Sequence, residues 1–236
     1  MVKNPASPPL IKAVLFDLDD TLLNSLWARV HALEHVFTEA AITLNAKDYL
    51  FGLNGSPFRE ALKELERTYH INDDLFIKYR RAYWFDSQDS LSLYPSVKEM
   101  LNRLKSGGYF LGIVTSKIHD TIFEGCRIGC VRELAKTGID GLFSIVVGLE
   151  DVSKPKPDPE CIYLALKGTD IATHNTLVVG DTGSDIDAAR AAGCLSCHAV
   201  WGITESAPPP LRFPADFTAH SPADILRFIG SELPSM

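Results

Sequence analysis

The sequence predicts an α/β protein, a doubly wound parallel sheet with an inserted helical domain. Three observations carry that expectation. Ala13-Val14-Leu15-Phe16 is apolar without alternation and stops at Asp17, as a strand buried on both faces would. From about residue 94 onward, short apolar runs alternate with segments of helical period, the rhythm of strand–helix–strand units. Between these regions, residues 26–93 carry helical spacing and no strand signal, a stretch too long for a plain crossover. The expected organisation is a core domain of residues 1–25 and 94–236 and a small helical domain of residues 26–93.

In chain order, Trp27, Val30, His31, Leu33, Glu34, Val36 and Phe37 repeat at helical spacing. Gly52 to Pro57 reads as a turn, with Asn54 or Ser56 as N-cap and Pro57 at the first helical position of Phe58 to Tyr69. Asn72-Asp73-Asp74 is placed to cap a helix from Leu75 to Trp84. In the second region, helices are expected at Ser96 to Lys105, Asp120 to Lys136, Pro159 to Gly168, Ser184 to Ala192 and Ile225 to Gly230. Strands are expected at Tyr109 to Thr115, Phe143 to Val147, Thr176 to Val179 and Leu195 to Val200. Glycines at 107, 138 and 193 end helices, and Pro208-Pro209-Pro210 marks a surface loop.

Whole-chain properties narrow the function. A net charge of -7 without a basic run argues against general nucleic-acid binding, so the expected partner is not a nucleic acid. No apolar run reaches the length of a membrane span, and the first residues hold no apolar signal core, so a cytoplasmic protein is expected. The odd count of five cysteines suggests free thiols. Cys194-Leu195-Ser196-Cys197-His198 has the C-x-x-C-H form of haem attachment, but it reads better as a buried strand with cysteine as a small hydrophobe. Cys126 and Cys130 fall four apart on the expected helix and read as packing residues.

The chemistry concentrates where strands end. In extended geometry Asp17 and Asp19 point to one side, and two carboxylates so close need a cation or a shared proton. Thr115 and Ser116 end a second strand; Asp181 ends another, with Asp185 one helical turn on. Adjacent parallel strands bring such ends to one crevice. Carboxylates there form an oxygen-rich pocket suited to Mg²⁺. The prolines of Lys154-Pro155-Lys156-Pro157-Asp158-Pro159 suggest a rigid, extended segment able to hold a lysine against a phosphate.

In these motifs the sequence resembles the haloacid dehalogenase-like hydrolase superfamily, whose core is Rossmann-like. Asp17-Leu18-Asp19-Asp20-Thr21 matches its D-x-D-x-T motif, Thr115 the Ser or Thr after the second strand, Lys154 the lysine of Lys-Pro-x-Pro, and Gly180-Asp181 with Asp185 the fourth motif. Lys156 also fits Lys-Pro-x-Pro; Lys154 is preferred because Ser153-Lys154-Pro155-x-Pro157-Asp158 is the fuller pattern. The resemblance implies a Mg²⁺-dependent phosphatase acting on a small phosphorylated metabolite. Asp17 would be the nucleophile, and the metal would be held by Asp17, the Asp19 main-chain carbonyl and Asp181. Thr115, Ser116 and Lys154 would bind the phosphoryl group, Asp19 would be acid and then base, and Asp185 would orient the site. The insert resembles a C1 cap; within it Arg59, and in the core Lys117, are candidates for substrate contact, whereas Lys78, Arg80 and Arg81 read as surface charge. Tyr94-Pro95-Ser96-Val97 and Trp201-Gly202 have the flavour of the phosphoglycolate phosphatase group. A pyrophosphatase is an alternative, and a phosphosugar mutase another; mutases carry a His in the first cap helix where Arg29 stands here. A non-catalytic phosphoacceptor module is disfavoured by the cap and by Asp19.

Overall fold

The computed structural model describes residues 10–53, 58–202 and 211–230. The expected caps Asn54, Ser56 and Pro57 and the loop Pro208 to Pro210 lie outside the described residues. The chain divides into two compact units, Met1–Leu23 with Leu93–Met236, and Asn24–Ser92.

Along the chain run β1 (Ala13–Phe16), β2 (Leu23–Asn24), α1 (Leu26–Glu39), α2 (Ala46–Gly52), α3 (Phe58–Thr68), α4 (Leu75–Arg81), β3 (Ser92–Leu93) and α5 (Val97–Ser106). Then follow β4 (Phe110–Val114), β5 (Thr121–Phe123), β6 (Cys126–Ile128), α6 (Cys130–Thr137), β7 (Ile145–Val147), α7 (Glu160–Leu166), β8 (Thr176–Gly180), α8 (Gly183–Ala192), β9 (Leu195–Ala199), β10 (Phe217–Ala219) and α9 (Pro222–Ile229).

In the larger unit six parallel strands form one sheet in the order β10-β9-β8-β1-β4-β7. All four residues of β1 are fully buried, which explains their unbroken apolar run: a central parallel strand is covered on both faces. Ala13 and Leu15 pack with Cys161, Ile162 and Ala165 of α7 and with Ala188 and Ala189 of α8; Val14 and Phe16 point to the opposite face by the alternation of a strand.

Residues 120–136 depart from the single helix that their spacing suggests. An antiparallel hairpin, β5–β6, occupies the first half, and only Cys130–Thr137 is helical. Glu124 and Gly125 sit at its tip with φ of 48° and 77°, left-handed values that a turn accepts and a helix does not. Cys126 is therefore exposed on a strand while Cys130 is buried at the start of α6, and the two do not share a helix face.

In the smaller unit α1 buries Val30, Leu33, Val36 and Phe37 as its period demands, but Trp27 remains 43% exposed, with the Lys47 ammonium over its ring. Asp74 caps α4 by accepting from the Ile77 N–H at 2.9 Å. That helix ends earlier than its sequence period suggests: it widens at Ala82–Asp86 into a π-turn, closed by the Ser87 N–H to the Ala82 carbonyl at 3.0 Å.

Candidate active site

β1 lies between β4 and β8, and the order of chain entry reverses there, so the carboxyl ends of these strands border one crevice. Asp17 follows β1 and keeps the ladder, its N–H donating to Val179 O at 2.8 Å; Thr115 follows β4 and donates to Val147 O at 3.0 Å. Asp181 follows β8 directly. One carboxylate oxygen from each of Asp17, Asp181 and Asp185 lies within 4.8 Å of the others.

The lysine among these carboxylates is Lys156, which corrects the preference for Lys154. Lys156 Nζ donates to Asp17 Oδ1 at 2.6 Å, to Asp185 Oδ1 at 2.5 Å and to Val114 O at 3.2 Å, and its side chain is 4% exposed. Lys154 is 73% exposed, with only Asp158 near its ammonium at 4.0 Å. The physical reason is a turn. Asp158 N–H bonds Pro155 O at 3.0 Å, so the proline segment is not extended, and Glu160 holds the N–H groups of Ser153 and Lys154 at 2.9 and 3.0 Å. Lys156 is thereby directed inward and Lys154 outward.

Asp19 does not join the Asp17 cluster through its carboxylate. Its Oδ1 accepts from Lys117 Nζ at 2.8 Å, and the same ammonium donates to Glu133 Oε2 on α6 at 2.7 Å. Lys117, expected to face substrate, is thus held between two carboxylates. Thr115 is buried and its Oγ1 accepts from the Lys117 N–H at 3.2 Å; Ser116 is exposed beside it.

Burial dominates the electrostatics. It pushes the Asp17 carboxyl up to about 7; Lys156 opposes this, and the Asp185 and Asp19 charges add to it. Asp181 is held well above the ordinary range by burial and by Asp17, Asp20 and Asp185, with the Thr21 hydroxyl opposing at 3.1 Å. Burial alone would lower the Lys156 pKa, but Asp17 and Asp185 outweigh it and keep the ammonium above the usual lysine range. Buried carboxyls that resist ionising, offered as a set of hard oxygen donors, are what a divalent cation would relieve.

Several further contacts support the cluster. Asp185 sits directly under β8: a Cβ on Gly180 would lie 2.3 Å from its Cγ, so only glycine fits there. Its Oδ2 also accepts from the Thr182 N–H and hydroxyl, capping α8. His198 Nε2 lies 3.1 Å from Asp181 O, and Trp201 Nε1 donates to Thr21 O at 2.9 Å. Burial lowers the His198 pKa, favouring the neutral ring. Asp20 has φ +58°, a left-handed value that aspartate tolerates better than most residues.

The remaining candidates have partners of their own. Arg59, in the smaller unit, is exposed at the start of α3 with its guanidinium 5.2 Å above the Phe76 ring. Lys78 pairs with Asp73 at 2.7 Å. Cys194 and Cys197 are buried free thiols, and burial pushes the Cys194 thiol up to about 12; they serve as core.

Residues 14–199 match the family model of haloacid dehalogenase-like hydrolases. A pyrophosphatase PpaX from Listeria monocytogenes serotype 4b is 30% identical over 224 residues, covering 94% of this chain and 98% of the relative. A crystal structure described as a predicted phosphoglycolate phosphatase from Haemophilus somnus superposes with a TM-score of 0.75 at 26% identity, over 94% of this chain and 99% of the other. A haloacid dehalogenase-like hydrolase from Streptococcus pneumoniae shares the fold at the same TM-score and 24% identity, over 93% and 99% of the two chains. With the acidic strand ends, the buried lysine and a family match over most of its length, the chain belongs to the haloacid dehalogenase-like hydrolases.

Proposed function

We propose that this enzyme is a Mg²⁺-dependent phosphatase that hydrolyses a small phosphate monoester through an aspartyl-phosphate. The observation that carries the reading is the buried Asp17, held by Lys156 at 2.6 Å, beside Asp181 and Asp185 at the ends of the central strands. Asp17, the Asp19 main-chain carbonyl and Asp181 are the proposed metal ligands, and Asp185 orients Lys156. Bound there, the cation would neutralise phosphate charge and let the carboxylates ionise.

A carboxylate oxygen of Asp17 attacks phosphorus; the new P–O bond forms as the ester P–O bond breaks, and Asp19 passes its proton to the departing alkoxide. Water then attacks the aspartyl-phosphate, gives a proton to Asp19, and releases inorganic phosphate with Asp17 regenerated. Lys156, Thr115 and Ser116 bind the phosphoryl oxygens, and Lys156 replaces Lys154 in that role. The smaller unit is the proposed cap, with Arg59 as its candidate substrate contact. Burial of four of the five thiols as free cysteines fits a reducing cytoplasm. A second reading, pyrophosphate as substrate, is favoured by the likeness to the Listeria pyrophosphatase.

The wild type should turn over p-nitrophenyl phosphate with Mg²⁺, and Asp17→Asn should lose at least about 10³-fold in kcat. Full turnover in Asp17→Asn would overturn the nucleophile. A panel of phosphate monoesters with pyrophosphate, ranked by kcat/KM, decides between the two substrate classes.

A further inference from the structure

Glu133 is a fully buried carboxylate that the reaction above does not use. Its place in the fold is specific. The chain leaves β4 through Thr115, Lys117 and His119, runs out along the β5–β6 hairpin and returns at Gly129. There the backbone passes so close to His119 that a Cβ on Gly129 would lie 2.4 Å from the His119 carbonyl oxygen, and φ is 126°. The Cys130 N–H then donates to Ile118 O at 2.9 Å, and the Val131 N–H to His119 O at 3.3 Å. Helix α6 therefore begins against the very loop that carries Lys117, and Glu133 falls in its first turn.

The side chains complete a line from the interior to the crevice. Exposure rises from 0% at Glu133 through 13% at Lys117 to 23% at Asp19, and the two contacts along the line are 2.7 and 2.8 Å. An ammonium on a four-carbon stem is a mobile point charge. Anchored by a second, immobile carboxylate, its position is set, and so is the carboxylate it holds.

We propose that Glu133 is a positioning residue: acting through Lys117, it holds the Asp19 carboxyl where it can exchange a proton with the leaving oxygen. The inference rests on the reading of Asp19 as acid and base. Asp19 is held by Oδ1. Glu133 touches no reacting atom.

The test is the dependence on the leaving group, because a poor leaving group needs the proton and p-nitrophenolate hardly does. Glu133→Gln should lower kcat for an alkyl phosphate about 10-fold or more, with kcat for p-nitrophenyl phosphate changed less than about 3-fold and KM unchanged for both. In a Lys117→Met background, where Glu133 has nothing to act through, a further change of Glu133 to Leu should add no leaving-group effect. The apolar pair of that double variant also keeps a folded protein available if Glu133→Gln alone folds poorly. Equal losses on both substrates, or no loss on either, overturn the proposal. Asp19→Asn separates the underlying reading: if it too lacks a leaving-group dependence, the proton role of Asp19 falls and the bridge with it. If Asp19→Asn shows the dependence and Glu133→Gln does not, only the bridge falls.

Discussion

Lys156 and Lys117 are each held, with little exposure, between two carboxylates, and they differ in what they hold. Lys156 bridges Asp17 and Asp185, is 4% exposed and has the Val114 carbonyl as a third acceptor. Lys117 bridges Asp19 and Glu133 and is 13% exposed, and its active-site partner is 23% exposed against 10% for Asp17. The first bridge closes around the proposed nucleophile, a group that must not move between attack and release. The second ends on the proposed proton carrier, which has to meet first an alkoxide and then water. Both rest on a second carboxylate deeper than the working one, Asp185 on α8 and Glu133 on α6. Burying an ion pair brings little net stability, whereas removing one partner strands the other charge; such bridges are better understood as fixing geometry.

The largest effect should come from breaking the first bridge. Lys156→Ala should cost about 10³-fold or more in kcat, and it leaves Asp17 and Asp185 facing each other without a counter-charge, a loss of about 3–5 kcal/mol in stability. Lys154→Ala, at an exposed position, should stay within about 0.5 kcal/mol of the wild type and keep its activity. Steady-state kinetics and denaturant melts on the two variants check this; reversed effects would return the phosphate-binding role to Lys154.

A smaller effect separates the bridges. Gly180→Ala forces its Cβ onto Asp185, so the first bridge shifts while Lys117 is untouched. Overpacking of this kind costs about 1–3 kcal/mol. The activity lost should be the same for alkyl and nitrophenyl phosphates, unlike the loss expected at Glu133. A leaving-group dependence in Gly180→Ala would mean that the two bridges are not independent.

The smallest effect concerns pH. In the metal-free protein the Asp17 carboxyl rises from 3.8 to about 7. The folded state therefore holds a proton that the unfolded state has released, and this group's contribution is full below about pH 4 and lost as pH rises through about 7. Mg²⁺ requires the ionised form, so the increase in Tm on adding Mg²⁺ should be greater at pH 8 than at pH 5. Thermal melts at both values decide; an equal or larger shift at pH 5 contradicts the assignment of Asp17 as a ligand.

The parallel core was legible because burial on both faces writes unbroken apolar runs, as in β1, and because strand ends that bear carboxylates have no packing explanation. The choice between Lys154 and Lys156 was not legible from the proline pattern: the lysines are two apart and share a side in an extended chain, and only the Pro155–Asp158 turn separates them. The hairpin at 121–128 was hidden because Phe123, Cys126, Cys130 and Leu134, spaced three, four and four apart, mimic helical spacing well enough to mask a turn whose residues, Glu124 and Gly125, are not a strong hairpin pair. Glu133 looked like any helix-surface acid. Its burial depends on α6 returning to the Lys117 loop, a tertiary fact with one local sign, Gly129 ahead of the helix.

The same hairpin has a practical consequence. Cys126 is the exposed thiol of the chain; Cys130, Cys161, Cys194 and Cys197 are buried. A thiol-reactive fluorophore added to the native protein attaches at one strand of β5–β6, three residues before the turn into α6, without engineering. The folded protein thus carries its own reporter on the segment that leads into Glu133, and the slower labelling of the other four thiols reads how often the core opens.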